Sequence, residues 1–203
     1  MLMNKLFLDI ETIPVEKEKH DLLEDIYKSK RSYGKSPATF EEFIAGTGLD
    51  GAFGRIACIS YAINDGKPKT FFGDEKKIVE DFWEIAKDAT LFIGFNVMDF
   101  DLRFIYQRSV VLRVKPSIDL NFARYRREPI FDVMKEWNKW GNTFVSLDTL
   151  AKALGLPSSK DGEITGKNVA KAFEDGRIKE ICEYCEKDVE LTRKIYNRLT
   201  FSD

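Results

Sequence analysis

Residues 90–95 read TLFIGF, a continuous apolar run that predicts a strand buried inside the protein. The segment before it, residues 74–88, carries Ile78, Phe82 and Ile85 at helical spacing and predicts an amphipathic helix. A helix followed at once by a buried strand is typical of an α/β domain, in which helices cover the faces of a sheet.

Further strands and helices complete this α/β pattern. The sequence Asn64-Asp65-Gly66-Lys67 predicts a hairpin turn, because glycine tolerates the positive φ that such turns require. Strands are predicted at residues 5–12, 55–63 and 68–72 and around Ile118, and helices at 99–109, 129–139, 146–154, 166–175 and 177–199. We therefore expect one domain over residues 1–203, with a mixed five-stranded sheet flanked by helices, a helical C-terminal third, and an insertion at about 13–54 between the first two strands.

The composition excludes several classes of protein. With 43% hydrophobic residues, and 32 Lys and Arg against 34 Asp and Glu, the chain is neither disordered, nor collagen-like, nor globally basic like a histone. No apolar stretch is long enough to span a membrane, and Asp9 interrupts the apolar residues that a signal peptide would need. Cys182 and Cys185, at i and i+3, are interpreted as helix packing rather than as half of a zinc site. We therefore expect a cytoplasmic protein with no membrane partner.

Two carboxylates share one face of the first predicted strand. Asp9 and Glu11 are two residues apart, so their Cα atoms would lie about 6–7 Å apart, on the same side of the strand as Phe7. The first strand of an α/β sheet is usually buried on both faces, where two carboxylates repel each other. A solvated edge strand would also explain this pair.

The last predicted helix directs an acidic residue towards the interior. At about 100° per residue, Asp188 falls within about 20° of Ile181 and Ile195 on the apolar stripe, and Tyr184 lies one turn earlier on the same side. An inward Asp costs several kcal/mol unless a cation or hydrogen-bond donors meet it. Either a bound cation or an ordinary hydrogen bond would account for Asp188.

A fourth carboxylate follows the buried strand. Asp101 shares a helix face with Phe104 and Ile105; Asp99 or Asp101 could cap that helix, and Asp99 is the better candidate, which leaves Asp101 unexplained. Ligands collect at the carboxyl ends of strands in α/β sheets, and clustered carboxylates are hard oxygen donors for Mg²⁺ or Mn²⁺. Two such ions about 4 Å apart can hold the attacking and leaving oxygens of a phosphodiester.

Three ordered motifs, FLDIETIP, FNVMDFD and YCEKD, resemble the DxE, NxxxFD and YxxxD exonuclease motifs of the DEDD superfamily. The segment 155–192 resembles the group related to the exonuclease domain of family B DNA polymerases, and the whole resemblance runs from about residue 6 to 199. It implies an RNase H-like fold and the release of 3′-terminal nucleotides as nucleoside 5′-monophosphates. The subclass with a histidine near the last Asp does not fit, because the only histidine is His20.

The resemblance also implies roles for the residues of the motifs. Asp9, Glu11, Asp101 and Asp188 would hold two divalent metal ions, Mg²⁺ or Mn²⁺, and Tyr184 would orient or deprotonate the attacking water. Because the pKa of a tyrosine is about 10, orientation is favoured at neutral pH.

Candidate substrate contacts lie in and after the second motif. They are Asn96, Phe100, Arg103 and Arg108. The two arginines begin a basic segment, residues 102–127, with seven Lys and Arg against one Asp, in which three aromatic residues interleave: Tyr106, Phe122 and Tyr125. Aromatic faces and guanidinium groups together suit a single-stranded nucleic acid, although a solvated basic surface would give the same pattern.

We therefore expect a metal-dependent 3′-5′ exonuclease that acts on the 3′ ends of single-stranded nucleic acid, with DNA favoured over RNA. The alternatives are a 3′-5′ exoribonuclease in RNA processing and a non-catalytic nucleic-acid-binding module on the same fold. Loss of metal ligands usually marks such modules, and here all four carboxylates are present. A partner polymerase, or a repair or processing factor, is left open.

Overall fold

The computed structural model describes residues 4–32, 37–158 and 162–202, and these residues form a mixed five-stranded sheet. The strands are β1 (Lys5–Ile13), β2 (Arg55–Ile63), β3 (Lys69–Phe72), β4 (Leu91–Gly94) and β5 (Ile130–Asp132). They lie in the order β3-β2-β1-β4-β5. The β1–β2 and β2–β3 pairs are antiparallel, and the β1–β4 and β4–β5 pairs are parallel. The prediction of a mixed five-stranded sheet is confirmed.

Eight α-helices accompany the sheet in the described part of the chain. They are α1 (His20–Ser32), α2 (Phe40–Gly46), α3 (Glu75–Ala86), α4 (Asp101–Leu112), α5 (Val133–Asn138), α6 (Leu147–Ala153), α7 (Val169–Glu174) and α8 (Ile178–Thr200). The first two helices lie in the segment between β1 and β2. The end of this segment is attached to β1, because the Thr12 hydroxyl donates a hydrogen bond to the Gly48 carbonyl at 2.6 Å. None of the described helices combines the length and the apolarity needed to cross a membrane.

The two faces of β1 pack against different helices. Leu6, Leu8 and Ile10 enter a core cluster with residues of α3 and α4. On the other face, the ring of Phe7 contacts the ring of Tyr196 on α8 edge-on, with the centroids 5.4 Å apart. Because side chains alternate along a strand, Asp9 and Glu11 lie on the same side as Phe7, as predicted.

Helix α8 buries one stripe of side chains against the sheet. Most of the stripe is apolar and includes Ile181, Cys185, Val189 and Ile195. Asp188 belongs to the same stripe, and only 8% of its surface is exposed. The prediction that Asp188 faces inwards is confirmed.

Two predicted elements between α4 and α6 are wrong. Residues 117–118 form a bend instead of a strand, and Ile118 packs half-buried against the core. The fifth strand is instead β5. It occupies the start of the segment 129–139, for which periodicity predicts a helix. A short buried run cannot be told from the start of a helix by periodicity, and parallel pairing with β4 decides the outcome here. Helix α5 begins only after Asp132, whose side chain caps it by accepting a hydrogen bond from the Lys135 N–H at 3.1 Å.

Candidate active site

Asp9 and Glu11 reach the site from the second half of β1, next to an irregularity in the strand. The register between β1 and β2 shifts between Glu11 and Thr12. Such β-bulges re-aim side chains and are over-represented beside active sites. Asp9 is half-buried, and only 9% of the surface of Glu11 is exposed, so both carboxylates are held close to the protein interior.

Helix α8 brings the third motif to the same place. Asp9, Glu11 and Asp188 each offer a carboxylate oxygen that lies within 4.8 Å of the other two. Tyr184 lies one helical turn before Asp188 and is half-buried, and burial together with the nearby Asp188 carboxylate raises the pKa of its phenol. The first and third motifs, which are far apart in the sequence, therefore meet in the fold.

The second motif is attached to β1 by a hydrogen bond. Asp101, the first residue of α4, is 3% exposed, and its Oδ1 accepts the backbone N–H of Ile10 at 3.0 Å. The prediction that Asp99 caps this helix is wrong, because no side chain caps the helix start. Asp99 instead forms ion pairs with Lys135 at 2.6 Å and Arg103 at 3.7 Å.

Burial and mutual repulsion raise the pKa values of the carboxylates. The pKa of Asp9 and that of Glu11 lie well above their usual values, first because burial disfavours the charged forms and then because the other acidic groups lie close by. Burial, with smaller contributions from Asp132 and Asp188, raises the pKa of Asp101 to about 7 although two backbone hydrogen bonds oppose it. In the absence of a cation, the cluster therefore resists full ionisation.

This set of donors fits a divalent cation. All of the ligand atoms are carboxylate oxygens, which Mg²⁺ and Mn²⁺ prefer. Among the described residues, no Lys or Arg forms an ion pair with Asp9, Glu11 or Asp101, so the protein itself does not neutralise them. A bound cation would lower the raised pKa values and remove the repulsion.

Asp132 is a structural residue of the site that the sequence did not reveal. It ends β5, is 1% exposed, and accepts hydrogen bonds from the backbone N–H groups of Asn96 at 3.2 Å and Met98 at 3.0 Å. It thereby holds the loop that leads from β4 to Asp101. The signal that could have identified it is its position at the carboxyl end of a parallel strand, which the predicted helix over this segment concealed.

Three of the four predicted substrate contacts lie at or near the surface of this loop and helix. Asn96 and Phe100 are half-buried, and Asn96 adopts a left-handed backbone conformation with φ of 60°. The Phe100 ring packs against Phe104 with the centroids 5.6 Å apart. The side chain of Arg103 is 52% exposed.

Arg108 does not fit the predicted role in substrate binding. Only 2% of its surface is exposed, and its guanidinium group donates to both carboxylate oxygens of Glu75 at 2.8 Å and to the Gly51 carbonyl at 3.2 Å. The reason is its position on α4, where Arg108 lies one helical turn beyond Phe104 and two turns beyond Asp101. Both of these residues are buried, so Arg108 shares their face. Arg108 joins α4 to the start of α3 instead of facing a substrate.

The three cysteines lie together beneath the carboxylates. Cys58, Cys182 and Cys185 are all buried, and the other two thiols together with burial raise the pKa of Cys58. The Cys185 Sγ atom lies 3.3 Å from Oδ2 of Asp9 and 3.3 Å from the Asp9 carbonyl oxygen. Helix packing explains the spacing of Cys182 and Cys185, as expected, and it also places a thiol against a carboxylate of the site.

The fold resembles that of a solved polymerase. Over 98% of this chain, the structure is similar to that of the family B DNA polymerase from the hyperthermophilic archaeon Pyrobaculum calidifontis, with a TM-score of 0.69 and 18% sequence identity. The similarity covers 25% of the polymerase chain, so this chain spans about a quarter of its length. The likeness confirms the predicted RNase H-like fold.

The sequence comparison gives the family. No curated protein matches the chain. The family described as a predicted 3′-5′ exonuclease related to the exonuclease domain of PolB matches residues 52–203, which include Asp101, Tyr184 and Asp188. The chain belongs to this family of predicted 3′-5′ exonucleases related to the exonuclease domain of family B DNA polymerases.

Proposed function

We propose that this protein is a metal-dependent exonuclease that removes nucleotides from the 3′ end of single-stranded nucleic acid, with DNA favoured, and releases nucleoside 5′-monophosphates. The observation that carries the proposal is the convergence of Asp9, Glu11 and Asp188, whose carboxylate oxygens lie within 4.8 Å of one another. Family membership supports the exonuclease reaction, and the position of Asp101 beside β1 supplies a fourth carboxylate.

The four carboxylates would hold two divalent ions, Mg²⁺ or Mn²⁺. When bound, such ions stabilise the charge on the attacking and leaving oxygens of a phosphodiester. The carboxylates come from β1, α4 and α8; α4 is hydrogen-bonded to β1 and α8 packs against β1, so their positions are set before substrate arrives. Preorganised charge of this kind needs little rearrangement during the reaction.

Tyr184 is proposed to orient the attacking water. Burial and the nearby carboxylates of Asp188, Glu11 and Asp9 raise the pKa of its phenol above the usual value, so the group stays protonated at neutral pH. A protonated phenol holds a water molecule by hydrogen bonding but does not remove its proton. Orientation therefore agrees with the electrostatics of the site better than general-base catalysis does.

The test of the proposed function is a comparison of DNA and RNA strands of equal sequence, incubated with the protein and Mn²⁺, with the products separated by chromatography. Nucleoside 5′-monophosphates from single-stranded DNA are expected. Faster release from RNA would favour the exoribonuclease, because the 2′-hydroxyl distinguishes the two substrates. Binding of either strand without any release of nucleotides would favour a non-catalytic module, and short oligonucleotide products would contradict exonuclease action.

A further inference from the structure

Two surface cavities share an aromatic wall and form one groove beside the proposed active site. The first, of about 400 Å³, is lined by residues that include Asn96, Lys135 and Phe144. The second, of about 600 Å³, is lined by Arg126, Arg127 and Lys139, among others. The wall between them consists of Tyr125 and Trp140, whose rings lie 5.1 Å apart at an angle of 47° and line both cavities. We call the two cavities and this ring pair the aromatic groove.

The aromatic groove reaches the loop that leads from β4 to Asp101. Asn96 lies two residues beyond the end of β4, and Asp101 follows it in the same connection to α4. The backbone N–H of Asn96 donates to Asp132, which pairs with Gly94 across the β4–β5 ladder. Asp101 is hydrogen-bonded to Ile10 on β1. The opening of the groove and the carboxylate cluster therefore both lie at the carboxyl ends of the parallel strands β1 and β4.

Large aromatic side chains face solvent in the aromatic groove. Tyr125 is 74% exposed and Phe144 is 78% exposed. Aromatic faces that stay exposed in a folded protein often mark a binding surface, and nucleic acid bases stack on such faces whatever their sequence.

The backbone of the aromatic groove is strained. Of the seven non-glycine residues with positive φ in the described part of the chain, four line the groove: Asn96 (60°), Tyr125 (64°), Lys139 (48°) and Trp140 (62°). Left-handed backbone is unfavourable for residues with a side chain and persists where the surrounding structure holds it in place. Trp140 is held by its backbone N–H, which donates to the Lys135 carbonyl at 2.9 Å. The shape of the groove is therefore built into the fold.

Two cations of the aromatic groove are available to an anion. Arg124 and Arg126 flank Tyr125, are exposed, and form no ion pair among the described residues. One lines the first cavity and the other lines the second. The other cations are already paired, since Arg127 and Lys139 share the carboxylate of Glu136. A phosphate on either side of the Tyr125 ring would meet a guanidinium group.

We propose that the aromatic groove binds the nucleotides upstream of the 3′ end, with bases stacked on Tyr125 and Trp140 and phosphates against Arg124 and Arg126. This inference rests on the proposed function and names the substrate more closely. Bases must be unpaired and splayed to stack on protein rings, so the groove selects a single strand of several nucleotides over a duplex end or a single nucleotide ester.

The test compares kcat/KM for a single-stranded DNA oligonucleotide with kcat/KM for the p-nitrophenyl ester of thymidine 5′-monophosphate, which has no upstream nucleotides. In Tyr125→Ala, the ratio of the two values is expected to fall about tenfold through a higher KM for the oligonucleotide. Tyr125→Phe keeps the ring and should restore the ratio. The matched control is Phe201→Ala, which removes an aromatic side chain that is 91% exposed at the end of α8, more than three helical turns beyond Asp188.

A Tyr125→Ala ratio equal to that of the unmodified protein, or an equal fall in Phe201→Ala, would overturn the inference. If the unmodified protein hydrolyses neither substrate, the proposed function fails, and the groove is then judged by binding. Fluorescence anisotropy of a labelled single strand in EDTA should show about tenfold weaker binding by Tyr125→Ala and Arg126→Ala, and undiminished binding by both would reject the groove.

Discussion

Oδ1 of Asp101 accepts the backbone N–H of Ile10 at 3.0 Å, so the first residue of α4 is attached to β1 between Asp9 and Glu11. The donor belongs to the backbone, so the contact does not depend on which side chain stands at position 10. One hydrogen bond thereby sets the distance between two motifs that come from different parts of the sequence. It also buries Asp101 in a place where a carboxylate is costly without a cation.

The buried carboxylates should make the metal-free protein less stable as the pH rises. The pKa of Asp101 is raised from 3.8 to about 7, so its contribution to stability is fully present below pH 4, falls as the pH rises from 4 towards 7, and is lost above pH 7. Asp101→Asn keeps an oxygen for the Ile10 N–H but cannot ionise. In EDTA, the Tm of Asp101→Asn minus that of the unmodified protein should therefore increase between pH 5 and pH 8. Parallel Tm curves across this range would contradict the electrostatic account.

Tyr184→Phe should lower kcat and leave the fold intact. The phenol hydroxyl is lost, whereas the ring that fills the space beside Asp188 stays. We expect kcat to fall by about 10²-fold, with the Tm and the half-saturating Mn²⁺ concentration nearly unchanged. Steady-state rates at several Mn²⁺ concentrations provide the measurement. An unchanged kcat would show that the hydroxyl takes no part in the reaction.

Cys185 is expected to position Asp9 through its thiol, which lies 3.3 Å from Oδ2 of that carboxylate. Cys185→Ala removes the donor and should raise the half-saturating Mn²⁺ concentration about tenfold, as loss of a contact to a metal ligand commonly does. Cys185→Ser retains a donor and should lie closer to the unmodified protein. If the two variants respond equally to Mn²⁺, the thiol serves packing alone.

Arg108 should matter for stability and not for nucleic acid binding. Its bidentate pair with Glu75 is buried, and Oε1 of Glu75 also accepts the Ile56 N–H at 2.8 Å. Arg108→Met leaves a buried carboxylate without its partner and should reduce the free energy of unfolding by about 3–5 kcal/mol. Adding Glu75→Gln should recover part of that loss. Urea unfolding measures the stability. An Arg108→Met protein that is as stable as the unmodified protein but binds single-stranded nucleic acid more weakly would favour the predicted role in substrate binding.

Local periodicity was sufficient to predict some features of the site. The stripe of α8 placed Asp188 and Tyr184 on the inner side, and the alternation of β1 placed Asp9 and Glu11 on the side of Phe7. These placements follow from the geometry of a single element, which the sequence carries completely.

Other features depend on pairing between distant segments. Strand β5 exists because β4 lies beside it, so the role of Asp132 could not be deduced from the two apolar residues that precede it. The contact of Cys185 with Asp9 requires α8 to cross β1, which no local pattern records. The burial of Arg108 could have been predicted, because it lies on the same face of α4 as Asp101. The many basic residues around it suggested substrate binding instead.

The carboxylates of β1 and α8 are proposed to form a metal-dependent exonuclease site. The most direct test follows a 5′-labelled DNA strand over time in Mn²⁺ and in EDTA, with the unmodified protein, Asp9→Asn and the matched control Asp65→Asn, which alters an exposed carboxylate in the β2–β3 turn. We expect a ladder that shortens from the 3′ end in Mn²⁺ only, at equal rates for the unmodified protein and the control, and at least about a hundredfold more slowly for Asp9→Asn. Degradation that continues in EDTA, or that proceeds at full rate in Asp9→Asn, would contradict it.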